Sequence, residues 1–226
     1  LVNDVVPHLP SQGILKVVDF GCGKSYLTFA LHHLLREIHQ RDVRIVGLDR
    51  KSSVVRDCQS IAKRLNCVGL EFREGDIWNH QEDQIHLAVS LHACDTATDE
   101  ALAKAVAWQA DVILAVPCCQ HEIAAMLPPE ILPTIQQHGI LKDRLAAIFT
   151  DSLRSAALES LGYKTQVVEF IEMEHTAKNV LIRAIRRTTS TSALNEAQQK
   201  YHQLKTEMGI EEFHLDKALE QLQIVL

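Results

Sequence analysis

No stretch of this sequence holds the eighteen or more consecutive apolar residues of a membrane-crossing helix. Residues 1–10 lack the basic and apolar segments of a secretion signal. A soluble protein of the cytoplasm is therefore expected, with no membrane partner. Cysteine is also scarce: six in 226 residues are too few for a disulfide-built scaffold, and Cys118 cannot pair with its neighbour Cys119 without strain. No excess of positive charge is present either. A formal net charge of −6 argues against a broad basic surface for nucleic acid, though not against a local patch. No internal repeat breaks the chain into modules. It starts at Leu1 rather than Met, which leaves room for a further N-terminal domain, and nothing in it fixes an oligomeric state.

What is present is length and hydrophobic content enough for one sizeable core, 46% of residues being hydrophobic. Short runs rich in Val and Ile at 15–20, 44–49, 70–73, 86–91 and 111–116 read as buried strands. Between them, 25–35, 53–65 and about 98–108 carry apolar residues at helical spacing, with Ser25, Ser52 or Ser53, and Thr98 or Asp99 as caps. This alternation predicts βαβ units and a parallel sheet.

Past the fifth strand, Leu127-Pro128-Pro129 and Pro133 predict an irregular region over the sheet edge. A long helix over about 143–161, stopped by Gly162, and strands at 163–171 and 179–185 follow, making seven strands. A polar Thr/Ser linker leads to Leu194, Ala197, Tyr201, Leu204 and Met208 at spacings of three and four, then a shorter segment over 212–222. The expected division is a domain over 1–185, and a linker with two helices packed on it over 186–226. The helical stripe also admits a partner-binding reading, but packing is the commoner fate of such a face.

Val17-Val18-Asp19-Phe20-Gly21-Cys22-Gly23-Lys24-Ser25-Tyr26 reads as a strand, a glycine turn and a helix start. A phosphate-binding loop ending in Lys24-Ser25 would need glycine at Val18, and a dinucleotide loop a third glycine at Tyr26. S-adenosylmethionine (SAM) carries no phosphate, and two glycines suffice for it, with helix N–H groups facing its carboxylate. The bland reading, a turn shaped for its own sake, weakens because two further acids follow. Asp49 closes the second strand before Arg50, where a carboxylate accepts from ribose hydroxyls, and Asp76 before Ile77 follows the third, where it could accept from an adenine amino group. Each alone is commonly a cap or turn residue.

With these residues, the chain resembles the class I SAM-dependent methyltransferases over about residues 14–185. Asp19-Phe20-Gly21-Cys22-Gly23 stands as their first motif, Asp49 as their ribose-binding acid and Asp76-Ile77 as their adenine-side motif. The resemblance implies a Rossmann-like α/β fold, a seven-stranded mostly parallel sheet whose last strand is antiparallel, flanked by helices with a C-terminal helical appendage. It implies SAM as cofactor, with Asp19, Gly21, Cys22, Gly23, Lys24, Asp49, Arg50, Asp76, Ile77 and Ser90 around it. Ser90-Leu91-His92-Ala93-Cys94-Asp95-Thr96-Ala97-Thr98-Asp99 and Pro117-Cys118-Cys119-Gln120-His121 resemble a narrower group of methyltransferase-like proteins. That group is related to tRNA 2′-O-methyltransferases, which carry His-Leu-Cys-Gly-x-Ala-Thr-Asp and Cys-Cys-His-His segments. Ala93, Asp95 and Gln120 depart from that branch, which has Leu, Gly and His there. The resemblance implies RNA as acceptor; a protein or small molecule is the alternative, as is a non-catalytic SAM-binding or partner-binding module.

His92 and Asp95 follow strand four, Cys118, Cys119, Gln120 and His121 follow strand five, and His175, Lys178 and Asn179 join strands six and seven. If strand six runs parallel to strand five, all meet at one edge, where methyl transfer needs alignment and a proton acceptor. His92 or His121 is the expected base with Asp95 orienting it, while Gln120, His175, Lys178 and Asn179 hold the substrate. Two alternatives use the thiols. Cys118 or Cys119 could attack a pyrimidine ring, or His92, Cys94, Cys118 and His121 could hold zinc at a spacing that matches known patterns poorly, so no metal is expected. Structural readings stand beside all of these: a hydrogen-bonded histidine, small buried thiols, a cap at Asp99.

Overall fold

The computed structural model describes residues 1–91, 93–170 and 179–226. Seven strands make one sheet: β1 (Leu15–Phe20), β2 (Val43–Asp49), β3 (Leu70–Glu74), β4 (Leu87–Ser90), β5 (Val112–Ala115), β6 (Tyr163–Glu169) and β7 (Val180–Arg186). Their order is β3-β2-β1-β4-β5-β7-β6. Strands β1 to β5 pair in parallel, while β7 lies antiparallel between β5 and β6. It follows that β6 points the same way as β5, the condition for the three loop segments to share an edge. The seven strands, mostly parallel, and the Rossmann-like layering are those expected.

Alternate residues along each strand feed two different cores, because successive side chains leave opposite faces of a sheet. Val18, Phe20, Val46, Leu48, Ala88 and Ile113 pack on one face, and Leu15, Val17, Ile45, Phe72, Leu87 and Leu114 on the other. Both sets need helical cover, which is why the strands read as continuous apolar runs. The second face is covered by α1 (Val2–Val5), α2 (Tyr26–His33, continued by a wide turn at Leu34–Ile38) and α3 (Ser52–Arg64). The first is covered by α4 (Thr96–Ala107), α7 (Gly139–Ser160), α8 (Thr191–Glu207) and α9 (His214–Gln221). Tyr201 and Leu219 from the C-terminal helices, and Phe213 just before α9, enter the same cluster as the sheet residues. Ser190 caps α8, its Oγ accepting from Ala193 N at 3.3 Å. Among the described residues no helix is long and apolar enough to cross a membrane.

Several local expectations are corrected. Helix α4 starts at Thr96, with Asp95 at the cap position in a left-handed backbone (φ 54), so neither Thr98 nor Asp99 caps it. Thr98 Oγ1 instead donates to Ala93 O at 2.7 Å, and Asp99 is buried in an ion pair. Ser25 holds the cap position of α2, but its hydroxyl donates to Gly23 O at 3.1 Å rather than capping. Helix α7 begins at Gly139, earlier than 143, and two short helices, α5 (His121–Met126) and α6 (Pro133–Gln136), flank the proline-rich stretch.

Candidate active site

The strand order reverses direction between β1 and β4, and a crevice opens there, at the carboxyl ends of the parallel strands. Leaving β1, the chain turns through Gly21 (φ 66) and Gly23 (φ 52), a conformation that L side chains resist. Two bonds tie this turn to the neighbouring strand. Cys22 N donates to Leu48 O, and Gly23 N donates to Asp49 Oδ2, both at 2.9 Å. Asp49 Oδ1 accepts from Lys51 N at 2.8 Å. An ionised carboxylate has about four acceptor positions, so these two bonds leave acceptor capacity for hydroxyl groups. A cavity of about 360 Å³ lies against this edge, walled by Gly21 and Gly23 after β1, Asp49 and Arg50 at the end of β2, Gly75 and Ile77 after β3, and Ala93 and Cys94 after β4. The size is that of a small-molecule site.

A second cavity of about 400 Å³ shares Gly23 and is lined by Asp19, Cys22, Lys24, Ser25 and Leu91. Asp19 is only 3% exposed and accepts from Thr28 Oγ1 at 2.5 Å. Burial pushes its carboxyl up to about 7, against the pull of the Thr28 hydroxyl. Cys22 lies under the loop, and burial pushes its thiol up to about 12, so it is packing rather than a reagent. Lys24 is exposed. Ser90, at the end of β4 opposite Phe20, has a buried hydroxyl with no hydrogen-bond partner. Such a group costs free energy until a ligand or water bonds it.

Asp76, unlike Asp49, is not among the residues that wall the first cavity. Its Oδ2 pairs with Arg50 at 2.6 Å and its Oδ1 accepts from Trp78 N at 2.9 Å, which fixes the turn that presents Gly75 and Ile77 to the cavity.

The described members of the second group of predicted residues lie on the β5 side of the same edge. Ser90 pairs with Ala115, so the chains leaving β4 and β5 run side by side, and the pairing of Ala115 with Ile182 brings Asn179 to that edge. Cys94 Sγ lies 3.0 Å from Cys118 Sγ, and Cys118 Sγ 3.6 Å from Cys119 Sγ. Burial, then the neighbouring thiols, push the Cys118 thiol up to about 12, which argues against Cys118 as a nucleophile at neutral pH. His121 is exposed at the start of α5. Asp95 does not orient it: its Oδ1 accepts from Glu122 N at 3.4 Å. Gln120 and Asn179 are buried, at 6% and 3% exposure, so neither stands open to solvent. His92, His175 and Lys178 lie outside the described residues.

Sequence reasoning missed the buried ion pair that adjoins Asp95. Arg154 of α7, fully buried, donates from Nε to Asp99 Oδ1 at 2.7 Å and from Nη2 to Asp99 Oδ2 at 3.2 Å and Asp95 O at 3.0 Å. Burial holds the Asp99 carboxyl above its ordinary value even so, with the guanidinium pulling it back. Glu122 accepts from His214 N at 2.8 Å, and burial followed by the Asp99 charge pushes it up to about 7. One signal was available for Arg154: it sits three and four residues from Ala157 and Leu158 on the apolar face of α7, where a charge requires a buried partner.

The family described as "Methyltransferase domain" matches residues 1–126. No curated relative matches the chain. Among solved structures, geranyl diphosphate methyltransferase in complex with SAM is 14% identical, with a TM-score of 0.52 over 82% of this chain and 84% of that one. The CMeT domain of the citrinin polyketide synthase is 17% identical, with a TM-score of 0.51 over 83% of this chain and 51% of that one. The CurJ carbon methyltransferase is 13% identical, with a TM-score of 0.51 over 83% and 52%. The chain thus spans about half the length of the last two. At these identities the likeness is one of fold.

Proposed function

The chain belongs to a family of methyltransferase domains, and from that premise we propose that it is an enzyme that transfers a methyl group from SAM, with RNA as acceptor. The observation that carries the cofactor assignment is the cavity at the sheet edge, where both glycines of the loop and Asp49 meet the turns after β3 and β4. The residues fit the group. Asp49 retains acceptor positions for two ribose hydroxyls, Leu48 and Ile77 offer apolar contact for adenine, and Asp19 with the Lys24-Ser25 turn lines the adjoining space for the amino-acid end. Bound there, SAM supplies an electrophilic methyl carbon. The unpartnered Ser90 hydroxyl at the end of β4 finds its bond when a polar ligand or water enters. Asp76, which does not line the cavity, positions the adenine-side turn, where Arg50 holds it.

On the β5 side, His121 is the proposed proton acceptor, with Gln120 and Asn179 forming the wall against which the acceptor is aligned. The support for RNA is the resemblance of 90–99 and 117–121 to the tRNA-methylating branch. A second reading, a protein or small-molecule acceptor, is favoured by the formal charge of −6.

Calorimetry with SAM tests the cofactor. Micromolar binding by the native chain is expected to be lost in folded Asp49→Ala and Gly21→Arg variants; a folded native chain that binds no SAM ends the proposal. Methyl-labelled SAM offered to RNA and protein pools then separates the acceptors. Labelled RNA, in a complex that weakens steeply with salt, is the expected result, and label in protein alone supports the second reading.

A further inference from the structure

Three thiols converge beside the cofactor cavity from two separate stretches of chain. Cys94 follows β4, Cys118 and Cys119 follow β5, and their sulfurs all lie within 4.8 Å of one another. We propose that Cys94, Cys118 and Cys119 are ligands to a thiophilic divalent cation of the zinc class, bound at the carboxyl ends of β4 and β5.

The geometry is close to that of such a site. With Zn–S bonds of about 2.3 Å, tetrahedral sulfurs sit roughly 3.8 Å apart. The Cys118–Cys119 separation of 3.6 Å is near that value, and the Cys94–Cys118 separation of 3.0 Å widens to it with a small side-chain rotation. The fold itself places the ligands. Ser90 is in register with Ala115, and Val116 N donates to Ser90 O at 2.8 Å, so the two strand ends deliver Cys94 and Cys118 to one spot across 24 positions of sequence. Position is also informative. Cys94 is exposed and lines the cavity next to Ala93 and Ala97, while Cys118 and Cys119 are half-buried. Three sulfur ligands leave at least one position of a tetrahedral ion for a further donor. Binding requires the thiols to ionise, so the ion displaces their protons, and its two positive charges offset two of the three converging negative ones. Its role is to lock the loops after β4 and β5 at the cavity mouth. Among the described residues the group is Cys94, Cys118 and Cys119; His121, a candidate ligand by residue type alone, is not in it.

The inference does not depend on methyl transfer, and its test reads metal directly. The full chain, reduced and stripped of metal, is titrated with Co²⁺ while the thiolate-to-cobalt charge-transfer absorbance is followed; Zn²⁺ is then loaded, excess removed by gel filtration, and zinc per chain measured by mass spectrometry. One equivalent of zinc and a saturable cobalt band are expected. Cys94→Ser, Cys118→Ser and Cys119→Ser each weaken zinc binding by about tenfold or more, whereas Cys67→Ser, at a distant turn, leaves it unchanged. Circular dichroism confirms that each variant is folded, and if one is not, the cobalt band of the native chain still decides. A folded, reduced native chain that gives no thiolate–cobalt band overturns the proposal. So does zinc retained at full stoichiometry and affinity in all three folded serine variants.

Discussion

Replacing Arg154 by methionine keeps most of the volume of a fully buried side chain and removes its charge. The change strands Asp99, itself 0% exposed, which loses both guanidinium bonds, at 2.7 and 3.2 Å. It also frees the Asp95 carbonyl that Nη2 holds at 3.0 Å. Breaking one half of a buried pair typically costs about 3–5 kcal/mol. Protonation sets a ceiling on that part of the cost, because the stranded carboxyl can take a proton instead of staying charged. From an ordinary value near 3.9, this costs about 4 kcal/mol at pH 7 and about 2 kcal/mol at pH 5.5. The sign is that of an acid whose folded value is raised: the variant is penalised most at high pH, and the penalty fades as pH falls towards the unfolded value. Urea unfolding of both proteins should therefore show a loss of about 3–4 kcal/mol at pH 7 that shrinks at pH 5.5, by at most about 2 kcal/mol because native Asp99 is itself held above its ordinary value. Adding Asp99→Leu should recover much of the loss, since a matched apolar pair replaces a buried ion pair at little cost. A loss under about 1 kcal/mol at pH 7, a gap that does not move with pH, or a double variant no better than the single would each refute this reasoning.

Asp19, pushed up to about 7, makes the native chain less stable as pH rises from its unfolded value through 7. Asp19→Asn keeps an acceptor for Thr28, and should flatten the stability–pH slope between about pH 5 and 7 by up to about 1.4 kcal/mol per pH unit; equal slopes in the two proteins would show that the carboxyl is not so perturbed. Ser190→Ala removes the cap of α8 and should cost about 1 kcal/mol in denaturant unfolding. Phe213→Ala, at a residue 0% exposed beside α9, should cost about 3–5 kcal/mol in a single cooperative transition. A separate early transition in that variant would mean that the tail unfolds by itself.

Asp49 and Asp76 show how far the sequence reading of the site reached. Asp49 closes β2 and Asp76 follows β3 by two residues, placements that any correct assignment of the two strands guarantees. Whether their oxygens were available could not be read, because that depended on Gly23 N in one case and Arg50 in the other. Thr98 or Asp99 reads as a cap because a short polar residue at the head of an apolar stretch looks like one. The helix started earlier, at Thr96, because Asp95 accepts a left-handed backbone that the sequence pattern did not favour. His92, His175 and Lys178 lie outside the described residues, and their part in the site stays with the sequence reading.

The sequence by itself determined the strands, the glycine turn and the edge at which ligands gather. Those properties are local: alternation, spacing and backbone freedom act over fewer than about ten residues. The tertiary structure alone decided which side chains meet. The three thiols, the Asp99–Arg154 pair and the Glu122–His214 bond each join residues that approach only through strand register or helix packing. Contacts of that kind follow from the order β1-β4-β5, which buries apolar faces on both sides of the sheet, and not from any pattern within a single segment.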